Sequence, residues 1–475
     1  MDFVQANLID PVSKVLYTYV LVYLLVAAGI YFTVRTRFVQ LRYFKRMLGQ
    51  LLNSRAGAGG ISSFQAFCVG LASRVGTGNI AGVAIALTVG GPGAIFWMWV
   101  VALIGMATAM VEATLGQIFK VRAGDGTFRG GPAYYIQRGL GSRSGGMLFA
   151  VLLVFTFGFA FNMVQANAIA DVLNANHEIE VHYTTIGLVL LAAPVLFGGV
   201  RRVAKVAEVV LPMMALAYVL LAAVIIVINI RNLPHAFAEI IGGAFGLQQM
   251  AGGFTGGIAA AMLNGVKRGL FSNEAGMGSA PNVAATATVS HPVKQGLIQS
   301  LGVFVDTIII CTATALIILV SGPDVYDPHS PAKMAGASLT AAAVAQGLGG
   351  WTTYLMTVLV FVFAFSSVLG NYAYAEVNLF FLGVKERGIT VFRVLVLAAI
   401  AVGAVAKLAT VWDVADVSMG LMAIVNLVAI VLLGKWAFAA LGDYSRQASA
   451  GRDPVFIAEE AQLPGGLPGD IWIQP

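Results

Sequence analysis

One short polar stretch interrupts an otherwise apolar segment of this chain. Residues 72–79 read Ala-Ser-Arg-Val-Gly-Thr-Gly-Asn. Lipid offers no hydrogen-bond partners, so irregular backbone at membrane depth is tolerated only where protein or a water-filled cavity surrounds it. In transporters, such breaks expose helix ends and carbonyls that hold substrate and ion. The alternative, a glycine-rich helix-packing face, does not explain an asparagine directly after Gly-Thr-Gly. We therefore expect a functional break in a membrane-spanning helix.

This break could bind two kinds of ligand. Asp and Glu are absent from residues 60–111 and 249–273, so a cation would be held by neutral oxygens, which suit a monovalent ion better than Ca2+ or Mg2+. The candidate oxygens are the carbonyls of Ala72 and Val75, the hydroxyl of Thr77 and the amide of Asn79. An anionic group would meet the N–H groups of Thr77 and Gly78, where a new half-helix favours negative charge.

Other polar residues in apolar segments have two interpretations each. Ser366 and Ser367 could add hydroxyls to the cation site, or bond back to their own helix. Asn162, Gln165 and Asn167 could face a polar ligand, or join two helices.

A second glycine-rich stretch, Gly252–Gly257, surrounds Phe254. The ring could cover a small ligand or belong to the core. Because the glycines leave little side-chain volume, the walls there come close together, which favours a small ligand.

Charged residues inside apolar segments are functional candidates by default; here they are Arg74, Glu112 and Asp306, with Asp171 and Glu208 nearer the segment ends. Arg74, Glu112 and Asp306 could form a structural pair or a proton relay. No histidine lies well inside an apolar segment, which disfavours the relay. The sequence also lacks a nucleophile elbow, a phosphate loop and a zinc-protease motif, so it indicates no enzyme.

The elements that position these residues follow from composition. Of 475 residues, 59% are hydrophobic and 11% charged, with a mean hydropathy of +0.85; this balance excludes a soluble domain and indicates a multi-pass membrane protein in a lipid bilayer. The basic residues lie between apolar segments, so they fit the positive-inside rule and not nucleic-acid binding. Cys68 and Cys311 form neither a disulfide framework nor a metal motif.

Eleven segments are long and apolar enough to span a membrane. They are 14–34, 61–89, 93–118, 147–172, 184–200, 206–230, 249–266, 295–320, 350–370, 390–409 and 415–437. Of the 28 Lys and Arg residues, 23 fall in loops on one side and four on the other, and Arg74 lies within a segment. This bias places the amino terminus outside and the carboxy terminus in the cytoplasm.

After the first helix, ten segments divide into two sets of five, 61–230 and 249–437. Five is odd, so the second set must run in the opposite sense, which is the arithmetic of an inverted repeat with paired broken helices. We expect a single transmembrane domain over residues 1–450 and a flexible cytoplasmic tail over residues 451–475.

Three motifs resemble the alanine/glycine:cation symporter family. They are Ala-Ser-Arg-Val-Gly-Thr-Gly-Asn-Ile-Ala-Gly-Val-Ala (72–84), Gly-Gly-Pro-Gly-Ala-Ile-Phe-Trp-Met-Trp-Val (90–100) and Arg-Gly-Leu-Phe-Ser-Asn-Glu-Ala-Gly-Met-Gly-Ser-Ala-Pro (268–281). The resemblance covers about residues 61–434 and implies an all-α, leucine-transporter-like fold with five-plus-five inverted repeats. It also implies uptake of alanine or glycine across a bacterial plasma membrane, coupled to Na+ or, in some members, to H+.

The resemblance also implies roles for individual residues. Sodium would be held by the carbonyls of Ala72, Val75 and Phe363 and the hydroxyls of Ser366 and Ser367. The amino-acid carboxylate would meet the N–H groups of Thr77 and Gly78, and the ammonium would face carbonyls near Phe254 and Thr255. The expected substrate site comprises Thr77, Gly78, Asn79, Gln165, Asn167, Phe254, Thr255 and Gly256.

Two places depart from the family pattern, and a third matches a family motif but is expected outside the binding site. Many relatives have Ser-Thr at Ser366-Ser367, but the second hydroxyl is kept; Asn371-Tyr372 replaces a Trp-rich continuation. Asn273-Glu274 is expected in a cytoplasmic loop, as a gate or hinge.

The sequence therefore predicts a Na+-coupled symporter of a small neutral amino acid that works by alternating access. Two alternatives stay open: an H+-coupled transporter of another small solute, and an amino-acid sensor that does not transport. The pattern implies no obligate protein partner.

The charge count makes the orientation testable. A topology reporter fused at residue 5 is expected to be active outside the cell, and one at residue 450 in the cytoplasm. A cytoplasmic signal from the fusion at residue 5 would refute the arrangement.

Overall fold

The computed structural model describes residues 9–52, 60–124, 126–246, 256–328, 334–467, 469, 471 and 472, and these are almost entirely helical. The helices of the first half are α1 (Pro11–Arg35), α2 (Val39–Arg42), α3 (Phe44–Leu52), α4 (Ser63–Arg74), α5 (Gly78–Gly90), α6 (Gly93–Ile118), α7 (Pro132–Gly139), α8 (Arg143–His177), α9 (Val181–Leu196) and α10 (Gly199–Ile228). Those of the second half are α11 (Leu233–Ala244), α12 (Gly256–Asn273), α13 (Ala280–Ala284), α14 (Pro292–Val320), α15 (Gly336–Leu348), α16 (Thr352–Phe381), α17 (Glu386–Val405) and α18 (Leu408–Ser449). Strands β1 (Val121–Arg122) and β2 (Phe128–Arg129) form a small antiparallel hairpin.

Among the described residues, eight helices are long and apolar enough to cross a membrane, and the pair α4 and α5, bent by 48°, makes a possible ninth. The multi-pass, all-helical architecture is confirmed, but the count of eleven is not. The two other predicted spans overlap α9, which has only 16 residues, and α12, which carries Lys267 and Arg268. Such a helix depends on protein neighbours rather than lipid to shield its charges.

Helix α6 lies at the centre of the bundle and packs along α14, α12 and α1. Small residues allow these close contacts, as is usual between membrane helices. A Cβ atom at Gly296 of α14 would lie only 2.7 Å from the carbonyl oxygen of Met110 in α6. A Cβ atom at Gly105, midway along α6, would lie 2.9 Å from the Ala275 Cβ. The segment after α12 therefore lies beside the middle of the central helix.

The chain contains a second helix break, at that depth. Helix α12 ends at Asn273, and three residues with positive φ follow before α13: Glu274 (+58°), Gly276 (+87°) and Gly278 (+82°). The predicted location of Asn273 and Glu274 in a cytoplasmic loop is wrong, because both side chains are fully buried in the bundle. Of the predicted break at Gly252–Gly257, residues 252–255 lie outside the described residues, and Gly256 begins α12.

The two halves of the chain show the same succession of elements. A broken helix is followed by a long helix, a short helix, and then three further helices: α4/α5 with α6 to α10, and α12/α13 with α14 to α18. The predicted repeats require this succession, and α11 lies between them. In both halves the break precedes the long helix by a similar distance, so the two broken helices occupy equivalent places in the order.

The carboxy-terminal segment packs against the helix ends, although the sequence predicts a flexible tail. Phe456 and Trp472 are 1% and 6% exposed. The Phe456 N–H donates to the carbonyl of Ser290 over 2.8 Å, and the Trp472 indole donates to the carbonyl of Gln117 over 3.2 Å. Apolar side chains at these two positions explain why the segment remains docked.

Candidate functional site

The first break is held by side-chain acceptors in place of the missing helical hydrogen bonds. Helix α4 ends where the Val75 N–H donates to the Leu71 carbonyl. The next two N–H groups turn to amide side chains: Gly76 donates to Asn79 Oδ1 over 2.9 Å, and Thr77 donates to Gln165 Oε1 of α8 over 3.2 Å. Because this region is buried, each unsatisfied N–H would be costly.

Two glycines of this break allow neighbouring side chains to approach the backbone closely. A Cβ atom at Gly76 would collide with the Ser367 hydroxyl of α16. At Gly78, where α5 begins as a π-helical turn, a Cβ atom would lie 3.0 Å from the Phe271 ring. The break therefore contacts α16 on one side and α12 on the other.

Four of the five residues expected at a sodium site come together here. The Ser367 hydroxyl lies 3.0 Å from the Ala72 carbonyl and 3.1 Å from the Phe363 carbonyl. The Ser366 hydroxyl lies 2.9 Å from the Phe363 carbonyl. Val75, the fifth, caps α4 and is fully buried. This cluster joins α4 to α16 entirely through neutral oxygens, which is the donor set that suits a monovalent cation.

A carboxylate lies on the opposite side of the break. Asp306 of α14 accepts hydrogen bonds from Asn79 Nδ2, the Ser272 hydroxyl and the Thr307 hydroxyl, each over 2.7 Å. Asn79 therefore binds the Gly76 N–H with its oxygen and Asp306 with its nitrogen. The sequence singles out Asp306 but not Ser272, whose partner only the fold reveals.

The two helix breaks contact each other. The Ser73 hydroxyl, just before the first break, lies 2.8 Å from Glu274 Oε1 in the second and 2.8 Å from Asn371 Oδ1 of α16. Ser279 donates to Glu274 Oε2 over 2.5 Å. Asn371 in turn donates to Asn162 Oδ1 of α8 over 3.0 Å. These buried polar contacts link both broken helices to α8 and α16.

Arg74 is buried but makes no ion pair with Glu112 or Asp306 within 4.0 Å. It is 1% exposed, and its Nη1 donates to the Gln299 carbonyl over 3.3 Å. Glu112 instead accepts a hydrogen bond from Asn426 of α18 over 2.9 Å. The structural ion pair that the sequence suggested is therefore not formed by direct contact. The buried Arg74 guanidinium is separated by more than 4.0 Å from the carboxylates of Glu112 and Asp306.

The remaining predicted residues divide between the site and its surroundings. Gln165 contacts the break directly. Asn167 lies on another face of α8 and donates to the carbonyls of Gly403 and Ala406, over 3.1 and 2.7 Å, so it joins α8 to the end of α17. Phe254 and Thr255 lie outside the described residues.

Aromatic rings cover the start of α5, a feature that sequence reasoning missed. Phe271 packs against Phe161 and Trp412, with ring centroids 4.4 and 4.5 Å apart. Behind them, the Arg268 guanidinium lies over Trp412 at 4.5 Å and pairs with Asp416. The only sequence signal was the motif at 268–281, whose Phe271 turns out to contact the first break.

The bond between Asn79 and Asp306 can be tested by exchanging the two groups. Asn79→Asp would place two carboxylates together and remove a donor, so we expect a loss of about 2 kcal/mol or more in stability. The double variant Asn79→Asp/Asp306→Asn restores one amide and one carboxylate and is expected to recover much of the thermal stability in detergent. A double variant no more stable than Asn79→Asp would contradict this assignment.

Comparison with known proteins agrees with this architecture. The probable sodium/glutamine symporter GlnT of Bacillus subtilis is 48% identical over 476 aligned residues, covering 99% of this chain and 97% of that protein. The amino-acid carrier protein AlsT of the same organism is 46% identical, covering 98% and 97%. A manganese transporter from Eremococcus coleocola, of known crystal structure, has a similar fold (TM-score 0.55, 14% identity, 80% of each chain). The family model described as "Sodium:alanine symporter family" matches residues 1–458, so this chain belongs to that family.

Proposed function

We propose that this chain imports a small neutral amino acid, alanine or glycine first, in symport with Na+ across the cell membrane by alternating access. The observation that carries the proposal is the Ser367 hydroxyl, which lies against carbonyls of two different helices beside a broken helix. The membership of this chain in a sodium:alanine symporter family supports the same substrate and ion.

The proposed cation site is formed by the Ala72, Val75 and Phe363 carbonyls with Ser366 and Ser367. In the structure the Ser367 hydroxyl donates to the carbonyls of Ala72 and Phe363, and the Ser366 hydroxyl donates to that of Phe363. A bound Na+ would attract the same oxygens and turn each hydroxyl proton away, so that all the oxygens face the ion. The ion would thereby tie α4 to α16.

The proposed substrate carboxylate binds at the N–H groups of Thr77 and Gly78. The Gln165 amide oxygen already accepts from the Thr77 N–H, which shows that this N–H is directed at an acceptor. A carboxylate is a stronger acceptor than an amide and gains from the helix dipole, so it would displace Gln165 there. Asn79 would shape the same turn through the Gly76 N–H.

The space above this turn favours a small side chain. Phe271 lies against Gly78, and Trp412 is 3.4 Å from the position a Cβ atom would take at Gly82. Because the relative GlnT is named for glutamine, glutamine is the larger substrate to be compared with alanine and glycine. We place alanine and glycine ahead of glutamine because the rings leave little room.

Coupling follows from the shared helix break. A cation that ties α4 to α16 would hold the Thr77 turn in its binding conformation, so part of the ordering cost of substrate binding is met beforehand. The second candidate is H+ coupling, favoured by the buried carboxylates Glu274 and Asp306 at the two breaks. With either coupling ion, we place the start of α4 at the cytoplasmic face and the end of α5 at the outer face.

Removing the Ser367 hydroxyl tests the linked site. In proteoliposomes, Ser367→Ala is expected to weaken the apparent affinities for Na+ and for alanine together, each about fivefold, the size expected for one lost hydrogen bond or ligand. Ser418→Ala is the matched control, because this buried serine donates only to Ala415 in its own helix among the described contacts.

Three outcomes would contradict the proposal. A change in only one of the two affinities would show that the sites are not linked. Uptake driven by a pH gradient without Na+ would favour the proton-coupled candidate. Binding of alanine without accumulation above equilibrium would indicate a sensor.

The substrate range can be defined in the same proteoliposomes by competition with glycine, D-alanine, serine and glutamine.

A further inference from the structure

The carboxy-terminal segment binds the face of the bundle at which α4 begins. We call residues 451–467, together with Trp472, the C-terminal strap. Its first part is anchored to α18 by paired hydrogen bonds between Gln447 and Val455, over 2.8 and 3.0 Å. Lys294 of α14 forms an ion pair with Asp453 over 2.5 Å. The strap therefore bridges two helices that are far apart in the sequence.

The next part of the strap contacts the connection between α13 and α14. The Phe456 N–H donates to the Ser290 carbonyl over 2.8 Å, and the Ser290 hydroxyl donates to the Pro454 carbonyl over 3.0 Å. The Phe456 ring packs on His291 with centroids 5.1 Å apart. The strap therefore binds this connection through both backbone and side-chain atoms.

The same connection is tied to the first broken helix. Ile61, just before α4, exchanges backbone hydrogen bonds with the connection: its N–H donates to Thr286 over 3.3 Å, and its carbonyl accepts from Thr288 over 3.1 Å. A continuous series of contacts therefore runs from α18 through the strap to the start of α4.

Trp472 adds a second attachment at the end of α6. Its indole donates to the Gln117 carbonyl, and its carbonyl accepts from the Ala458 N–H over 2.9 Å. The Gln117 amide donates to the carbonyls of Ala284 and Ala287, over 2.5 and 3.0 Å. Both attachments therefore converge on the segment that contacts Ile61.

Two features at the contact between the strap and the end of α6 favour release of the strap. A cavity of about 150 Å³ lies between it and the end of α6, so the packing there is incomplete. The Lys120 amine lies 4.7 Å from the Trp472 ring centroid, and burial, with a smaller effect of Arg122, lowers the pKa of Lys120 to about 7. Release of the strap would remove one of the two aromatic rings that cover this amine, the other being that of Phe128.

We propose that the C-terminal strap holds α4 against the bundle and is released when the site opens to the face at which α4 begins. The strap thereby controls one half of the transport cycle. The proposal rests on the proposed alternating-access function, but its structural part, restraint of α4, can be measured without transport.

A native cysteine in α4 reports the movement. Cys68 is 1% exposed, and the other cysteine, Cys311, can be replaced by alanine. In that background, Trp472→Ala is expected to increase the rate of Cys68 modification by a soluble maleimide by about fivefold or more. Glu459→Ala, which changes an exposed strap residue, is the matched control and is expected to leave the rate unchanged. Equal rates in Trp472→Ala and the control would overturn the proposal.

A cross-link tests the same idea independently of the stability of Trp472→Ala. With Cys68 and Cys311 replaced by alanine, cysteines at Ser290 and Pro454 are expected to form a disulfide that fixes the strap. Oxidation should reduce uptake at least about fivefold, and reduction should restore it. Full uptake by the oxidised, cross-linked protein would overturn the proposal, whereas absence of uptake in the reduced protein and in wild type would instead refute the proposed transport function.

Discussion

The structure depends on one constraint: a helix that breaks inside a membrane protein must find new partners for its backbone N–H groups. At the first break these partners are amide side chains. Asn79 accepts from the Gly76 N–H, and Gln165 accepts from the Thr77 N–H. Side-chain partners can move away without unfolding a helix, so this solution satisfies the backbone and still leaves the N–H groups available to a ligand.

The same constraint explains why the two breaks lie together. Each break brings polar groups that lipid cannot accommodate, and each supplies hydrogen-bond partners for the polar groups of the other. Ser73 contacts Glu274, and Asn79 contacts Ser272. Through Ser367 the first break also contacts α16. A change in the position of α4 would therefore alter the proposed cation oxygens, the proposed substrate turn and the second break at once, which is the physical basis of the coupling proposed for this chain.

Sequence reasoning located the first break, because glycine, threonine and asparagine in an apolar segment are unusual and local. Through the family resemblance it also placed Ser367 beside Ala72, which the structure bears out. It missed the second break, between Ser272 and Ser279. Hydropathy alone assigns such a polar segment to a loop, because the sequence does not show that its side chains pair with one another inside the protein. Asn167 illustrates the same limit: only the fold shows that its amide faces Gly403 and Ala406, not the break.

The most direct test of the account is whether Na+ and alanine raise each other's affinity. Calorimetry on the purified protein would measure alanine affinity with and without Na+, and Na+ affinity with and without alanine. Because both ligands would act through the same break, we predict that each raises the affinity for the other by the same factor, about five- to 150-fold. Alanine affinity that is independent of Na+ would contradict the account.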